Sequence, residues 1–255
     1  MANNKLLTAL FSIALATGTI TSGCISKSLY ESINNNDTLA INALNLYQKS
    51  GSYANLKREI INIKIDEIIN ELGLHVSDDP YAQLDMCCKV QKYLTMNNYY
   101  DDTMIDEKRG DSLKEIYYND LYEVLIYNRA ICTSNSAEFK EILSKVGIDV
   151  KSVFVAADNN ESHMCNIVNL GGDYYYFDPT LEIAIYDSDI YDHNDVLLFC
   201  AGMGKEDYEQ YYKPIGIMDD NFGSEILPMP NNMANSSIPF EVINNSIDTI
   251  KVKAK

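Results

Sequence analysis

Basic residues are scarce in this 255-residue sequence, which holds 20 Lys and Arg against 37 Asp and Glu and carries a net charge of −17. A chain this acidic repels phosphate, which argues against nucleic-acid binding and against simple adhesion to an anionic membrane surface. No repeat of fixed period is present, which argues against a solenoid. The charge is compatible with a cationic substrate such as a Lys-bearing peptide, although a role in solubility explains it more simply.

Long apolar segments are also lacking. The apolar run over residues 6–16 follows Lys5 and is too short for a permanent membrane span, as expected of an export signal. It leads to Thr21-Ser22-Gly23-Cys24, which resembles the lipobox of bacterial lipoproteins. We therefore predict a signal peptide over residues 1–23, Cys24 as the lipidation candidate and sole route of membrane attachment, and an exported protein, either a cell-surface lipoprotein or secreted. An ordinary cleaved signal peptide and a buried cytosolic first helix are the alternatives.

The length suits one domain with a substantial core, plus extensions. Residues 24–52 are polar and Ser/Asn-rich, and we predict a linker there with a short helix. Helical patterns begin at residue 53, and we assign the domain to residues 53–200. Residues 201–255 are predicted as a C-terminal extension, with the alternative that they complete the domain. Within this extension we predict helix over residues 205–212 and strands around residues 240–243 and 249–252.

Cysteine is sparse, with six residues. Setting Cys24 and Cys132 aside leaves an even number, which permits two disulfides among Cys87, Cys88, Cys165 and Cys200. Neighbours such as Cys87 and Cys88 rarely bond each other, because the ring is strained. Small scattered cysteines are frequently buried free thiols, and we favour that interpretation here.

Residues 131–180 contain three side chains with complementary chemistry. Apolar residues at three- and four-residue steps predict a helix over residues 133–146, with Gly147 at the position that follows a helix. Cys132 then stands at the helix start, where the macrodipole favours a thiolate. A thiolate nucleophile needs an adjacent base, and the base needs a carboxylate to orient it. His163 and Asp178 are the candidates for these two roles.

The predicted strands place those two side chains together. Residues 153–157, 163–170 and 173–178 have strand composition, and Gly171-Gly172 suits a two-residue hairpin turn. With that turn, Leu170 pairs with Asp173, and Asp178 faces the position two residues after His163. His163 and Asp178 become diagonal neighbours within side-chain reach. A slip of one residue would send them to opposite faces of the sheet.

These motifs resemble the core of the transglutaminase-like superfamily. The resemblance covers about the middle third of the chain and rests on Cys132, Ala137, Phe139, Leu143, Gly147, Ile148, His163, Asn166, Val168, Tyr175, Asp178, Pro179 and Thr180. It implies an α+β fold of the papain type, in which N-terminal helices pack on an antiparallel sheet and the nucleophilic Cys begins a helix. Met164-Cys165 stand where members have a small residue and Trp, and this sequence contains no Trp. The substrate class is therefore left open.

We predict a cysteine-dependent acyl-transfer enzyme with Cys132 as nucleophile, His163 as base and Asp178 as orienting residue. It would act on amide bonds of a peptide, protein or cell-wall peptide, by hydrolysis, deamidation or cross-linking, without a cofactor. Tyr99, Tyr100 and Tyr127 are candidate cleft or oxyanion residues, although packing is the simpler role for such aromatics.

Two other classes stay open. One is an exported, non-catalytic binding or scaffold protein of the same fold. The other is a structural zinc domain using Cys132, His163, Cys165 and Asp178, which lacks the usual ligand spacing.

Overall fold

The computed structural model describes residues 53–105, 112–157, 159, 161–188, 196–222 and 225–245. The predicted signal peptide, Cys24 and the linker lie outside these residues and stay predictions. The chain divides into two units, residues 1–63 and 64–255. The first unit contributes to the described residues only the beginning of one helix, and the second contains everything discussed below.

Seven α-helices are present in the described part of the chain. They are α1 (Tyr53–Leu72), α2 (Pro80–Asn97), α3 (Leu113–Tyr127), α4 (Cys132–Lys145), α5 (Pro179–Tyr186), α6 (Lys205–Tyr208) and α7 (Phe240–Asn245). Short polar side chains explain several of their starts. Asp79 accepts from the N–H groups of Tyr81 and Ala82 ahead of α2, and the Ser112 hydroxyl accepts from Glu115 N–H ahead of α3. None of the described helices is long and apolar enough to cross a membrane.

A five-stranded antiparallel sheet packs against helices α2, α4 and α6. Its strands are β3 (Val150–Ala157), β4 (Ser162–Leu170), β5 (Asp173–Phe177), β6 (Tyr212–Met218) and β7 (Ile226–Leu227), in the order β5-β4-β3-β6-β7. The predicted hairpin register is confirmed, because Leu170 pairs with Asp173 across the turn. β1 (Tyr99–Tyr100) and β2 (Arg129–Ala130) form a separate pair of short parallel strands, and β2 ends just before the start of α4 in sequence.

Helix α4 is the central helix of the core. It packs against α2, α3, α5 and the sheet strands β3 and β4. Its apolar residues at helical spacing, among them Phe139 and Ile142, are fully buried, and the Phe139 ring stacks on Phe177 with centroids 5.6 Å apart. Burial of side chains of this size contributes about 1.5–3 kcal/mol each. The α+β fold class, with helices on an antiparallel sheet and Cys132 beginning a helix, is confirmed.

The C-terminal predictions need correction. The helix predicted over residues 205–212 ends at Tyr208, and Tyr212 begins β6, which pairs with β3 inside the sheet. Residues 240–243, predicted as a strand, belong to helix α7, and residues 249–252 lie outside the described residues. Both errors have the same cause, because strand formation depends on a distant partner strand as well as on the local sequence pattern. Residues from Tyr212 onward have such a partner in β3, whereas residues 240–243 have none in the described part of the chain. Residues after 200 thus supply an internal strand of the domain's sheet.

Among the residues that the structure describes, four cysteines other than Cys132 are buried free thiols. They are Cys87 and Cys88 on α2, Cys165 on β4 and Cys200 in the segment before α6. Burial raises the pKa of each thiol well above its ordinary value. These four groups are therefore chemically quiet at neutral pH.

Candidate active site

Cys132 is the first residue of α4 and is partly exposed. Ile131 before it has an extended backbone and carries no side chain able to cap the helix. The first N–H groups of a helix have no intrahelical acceptor, so those of α4 face the region in front of Cys132. Helix α4 is held from behind, because the Ser136 hydroxyl contacts the Ser152 hydroxyl and Cys165 C=O of the sheet. The nucleophile candidate is therefore fixed in position.

His163 and Asp178 form the predicted pair. His163 Nε2 lies 2.8 Å from Asp178 Oδ2, and the Asp178 side chain is fully buried. His163 lies on β4, and Asp178 caps α5 directly after β5, so the hairpin register brings them together. Because Nε2 is engaged by the carboxylate, Nδ1 is the ring nitrogen left for the thiol of Cys132.

Asp178 has further partners that fix its orientation. Its Oδ1 accepts from the N–H of Leu181 at 3.0 Å, and its Oδ2 accepts from the hydroxyl of Tyr208 at 2.7 Å. The backbone N–H of Asp178 donates to Cys200 C=O at 2.9 Å. The carboxylate is thus saturated by donors from three elements, which is the condition under which a buried charge is tolerated.

The pKa values of the pair shift as an ion pair requires. Burial alone would lower the pKa of His163, but Asp178 and the hydrogen bond with Cys132 raise it to about 10. Burial alone would raise the pKa of Asp178, but His163, Leu181 and Tyr208 hold it below its ordinary value. An imidazolium beside Cys132 is the partner that a reactive thiolate needs.

A pocket of about 270 Å³ opens in front of Cys132 and His163. Tyr100 and Tyr212 line it with aromatic rings, and Glu161 lines it with a carboxylate. The other lining residues are Ala157, Ser162, Thr180, Leu181 and Ala184. Because the thiol and the imidazole share this pocket, a substrate held in it can reach both groups.

The three candidate tyrosines have different locations. Tyr100 lines the pocket, and burial together with the neighbouring Cys132 raises the pKa of its hydroxyl, which keeps it a proton donor. Tyr99 on the same strand is about half exposed and is not among the residues lining this pocket. Tyr127 ends α3, where its ring lies edge-on to Tyr122 with centroids 6.3 Å apart.

A buried polar network supports the pocket from behind. Asn135 on α4 donates to the Thr180 hydroxyl at 3.1 Å, and Asn98 donates to Asn135 at 3.0 Å and to Glu138 at 2.8 Å. Burial raises the pKa of Glu138 to about 7. Since Asn98 precedes the strand of Tyr100 and Thr180 lines the pocket, this network connects two walls of the pocket to helix α4.

Two aromatic residues were not predicted to belong to the site. Tyr208 on α6 is buried and bonds Asp178, and the Tyr212 ring on β6 lies 5.0 Å from the His163 ring at an interplanar angle of 33°. Tyr176, Tyr208 and Tyr212 stack in sequence, with centroid distances of 4.3 and 5.5 Å. No local signal marks Tyr208 or Tyr212, because both reach the site only through the pairing of β6 with β3.

The zinc alternative requires at least three ligands directed at one point. In the described part of the chain, no group of three or more His, Cys, Asp or Glu side chains could hold a metal ion. His163 and Asp178 are instead bonded to each other.

No family model and no curated protein matches the sequence. Solved structures similar to the fold include a TGase, with 16% identity over 61% of this chain and 38% of that chain, at a TM-score of 0.35. Calcium-bound Legionella pneumophila LapG aligns over 81% of this chain and 96% of that chain, with 13% identity and a TM-score of 0.37. The EGTA-treated form of LapG aligns over 77% and 89%, with 14% identity and a TM-score of 0.36.

The chain therefore spans well under half the length of the TGase structure. The assignment of residues to the site rests on the contacts of Cys132, His163 and Asp178 themselves.

Proposed function

We propose that this protein is a cysteine-dependent enzyme that acts on amide bonds through a thioester intermediate. The observation that supports this most strongly is the 2.8 Å contact between His163 Nε2 and Asp178 Oδ2, beside a Cys that begins a helix and lines the same pocket as His163. A nucleophile, a base and a group that orients the base are the three parts that covalent acyl transfer requires.

In the first half-reaction, the sulfur of Cys132 attacks the carbonyl carbon of an amide, and the thiol proton is held on His163 Nδ1. A carbon–sulfur bond forms, and the carbonyl π electrons move to oxygen. When the tetrahedral intermediate collapses, the carbon–nitrogen bond breaks and His163 returns its proton to the leaving amine. Asp178 keeps the ring oriented and stabilises the imidazolium throughout.

In the second half-reaction, water attacks the thioester while His163 removes its proton. The carbon–sulfur bond breaks, the thiolate of Cys132 recovers the proton from His163, and a carboxylic acid is released. An amine in place of water would give a new amide by the same steps. Because part of the pocket is open and lined by polar groups, we propose hydrolysis of a peptide or cell-wall amide as the principal outcome.

The negative oxygen of the tetrahedral intermediates needs preorganised donors. We assign the backbone N–H of Cys132 and the hydroxyl of Tyr100 to this role. The N–H lies at the helix start, where intrahelical acceptors are lacking. The Tyr100 hydroxyl stays protonated at neutral pH and belongs to the same pocket.

The N-terminal sequence supports a proposal for where the protein acts. We propose an exported protein whose membrane attachment, if any, is through a lipid on Cys24, and whose partner is a peptide or protein with an accessible amide. The acidic net charge speaks against nucleic acid as a partner.

The test is the rate of iodoacetamide labelling of each cysteine in the folded protein, read by mass spectrometry as a function of pH. We expect Cys132 to label at about pH 6 at least ~10-fold faster than the four buried cysteines, because an imidazolium stands beside it. His163→Ala should slow the labelling of Cys132 and leave the other cysteines unchanged.

The companion experiment compares wild type with Cys132→Ala on blocked peptide mixtures, with mass spectrometry to detect new carboxylates and new cross-links. Cys87→Ala is the matched control, since that thiol is buried on α2 away from the pocket and should be dispensable for turnover. Wild type and Cys132→Ala with the same product profile, together with an unreactive Cys132, would rule out the enzyme and favour a binding protein of this fold.

A further inference from the structure

The pocket has an electrostatic character that the proposed reaction does not require. Apart from the catalytic residues, its only charged lining residue among the described residues is Glu161, and no Lys or Arg lines it. Glu161 is held in place by its backbone: its C=O accepts from Ala157 N–H at 3.0 Å, and its N–H donates to Asn159 Oδ1 at 3.0 Å. The backbone that carries this carboxylate is therefore fixed at the pocket edge.

The basic residue nearest to Cys132 in sequence does not offset the negative charge of Glu161. Arg129, three residues before Cys132, has its Nε 2.8 Å from Asp101 Oδ2 and its Nη1 3.4 Å from Glu123 Oε2. Two carboxylates thus neutralise one guanidinium. The charges of Asp102 and Glu161 both raise the pKa of Tyr100. Asp102 is therefore a second acidic side chain near the Tyr100 wall of the pocket.

The aromatic lining adds to the preference for positive charge. Tyr100 is about half exposed at the pocket, and Tyr212 forms the other aromatic wall next to His163. Lys and Arg side chains are attracted to the face of an aromatic ring, also at exposed sites. Ala157 and Ala184 leave room beside the rings for the aliphatic part of such a side chain.

We infer that the pocket selects substrates that carry a Lys or Arg side chain next to the attacked amide, with Glu161 as the specificity-determining residue. The inference rests on the proposed function. A substrate with a carboxylate side chain next to the attacked amide is disfavoured. It would be repelled by Glu161 and by the net charge of −17. A neutral side chain such as Gln meets neither attraction nor repulsion and serves as the reference.

The experiment uses the full chain and peptide sets that differ only in having Lys, Gln or Glu beside the attacked amide. The starting peptide is any one that wild type converts in a blocked peptide mixture. We expect kcat/KM for the Lys peptide to exceed that for the Gln peptide about five- to ten-fold, as one exposed ion pair with an aromatic contact would give. With these rates measured at about 0.5 M NaCl, where the long-range field of the protein is screened, Glu161→Gln should bring this ratio close to one, and Glu161→Lys should favour the Glu peptide.

Glu225→Gln is the matched control, because Glu225 is exposed and does not line the pocket, so it removes the same charge elsewhere. Glu161→Gln and Glu225→Gln with equal Lys-to-Gln ratios would overturn the inference, as would a wild type without preference for Lys.

A binding measurement separates failure of this inference from failure of the proposed function. Cys132→Ala protein is titrated by calorimetry with the Lys and Gln forms of one blocked peptide, which is chosen whether or not wild type converts it. Tighter binding of the Lys peptide that depends on Glu161 supports the pocket assignment even if wild type shows no turnover. Turnover that depends on Cys132, with equal binding of both peptides, overturns the pocket assignment and leaves the enzyme intact.

Discussion

Asp178 is held by donors from three separate elements: His163 on β4, the Leu181 N–H of α5 and the Tyr208 hydroxyl on α6. A buried carboxylate that loses one of its donors keeps its desolvation cost and forfeits the compensating bond, at about 1–3 kcal/mol. The orientation of His163 therefore depends on residues that never touch a substrate. Tyr208 is a positioning residue in this sense.

Replacing Tyr208 with Phe should lower stability and catalysis together. We expect Tyr208→Phe to lose roughly 1–3 kcal/mol of unfolding free energy near neutral pH, measured by urea denaturation. The pKa of Asp178 is held below its ordinary 3.8, so this stabilisation is present above that value and is lost as the pH falls through the lowered pKa. The difference between variant and wild type should accordingly vanish in strong acid. We also expect kcat to fall about three- to ten-fold with KM little changed.

Tyr176→Phe is the matched control. Tyr176 is equally buried and stacks on Tyr208, but its hydroxyl donates to Glu209 at 2.9 Å rather than to Asp178. This variant should lose stability without lowering kcat. If both variants lower kcat equally, Tyr208 is only a packing residue.

Of the contacts that Asp178 makes, the one with His163 could be predicted from the sequence and the one with Tyr208 could not. The pairing of His163 with Asp178 follows from a two-residue turn and the alternation of strand side chains, both of which are local rules. Tyr208 lies 30 residues beyond Asp178 and approaches it through α6 and β6. No spacing rule connects the two, so this contact requires the structure.

At the scale of elements, the hairpin of β4 and β5 sets the geometry of the site. Gly171 and Gly172 have φ values of 68° and 106°, and the register that follows places His163 and Asp178 on one side. The first value lies in the left-handed region that Asn also adopts, whereas the second lies farther toward values that only glycine adopts readily. The two glycines should therefore respond differently to substitution.

We predict opposite signs for two single changes in this turn. Gly171→Asn should raise the unfolding free energy by about 0.5 kcal/mol, because Asn suits the first position of such turns and restricts the unfolded chain. Its Cβ would lie 3.4 Å from Pro80 Cγ, an ordinary contact. Gly172→Ala should lower the unfolding free energy by about 1 kcal/mol. A Cβ there meets nothing within 4 Å, so the whole loss comes from backbone strain. Thermal and urea unfolding measure both.

Gly73→Ala is the control, because Gly73 is a glycine of positive φ outside the hairpin. Its φ is 64°, and a Cβ there meets nothing within 4 Å. Equal destabilisation by Gly171→Asn and Gly172→Ala would contradict the turn conformation described here.

Elements bounded by local signals could be predicted from the sequence, and the others could not. Gly147 and Gly171-Gly172 mark a helix end and a hairpin turn, and the predicted elements around them lie within a few residues of the observed ones. β6 carries Pro214 and Gly216 and has no strand pattern of its own, yet it pairs with β3. Its place is decided by the exposed edge of β3 rather than by its own composition.

At the scale of the whole molecule, the charge of −17 and the acidic pocket edge act in the same direction. A negative field attracts a cationic peptide during diffusion, and the contribution of that field falls as salt shortens its range, from about 30 Å at 0.01 M to about 3 Å at 1 M. The contact with Glu161 acts over a much shorter distance. The two contributions can therefore be separated by salt.

We predict that kcat/KM for the Lys peptide falls about ten-fold between roughly 0.02 and 0.5 M NaCl, whereas kcat/KM for the Gln peptide changes less than about two-fold. Most of the fall should appear in the association step, because screening weakens steering more than close contact. Glu161→Gln should lower the Lys-to-Gln ratio at every salt concentration but keep a parallel salt slope, since the rest of the field is unchanged. A salt slope that is the same for both peptides would mean that the net charge serves solubility alone and that the pocket edge carries the whole preference.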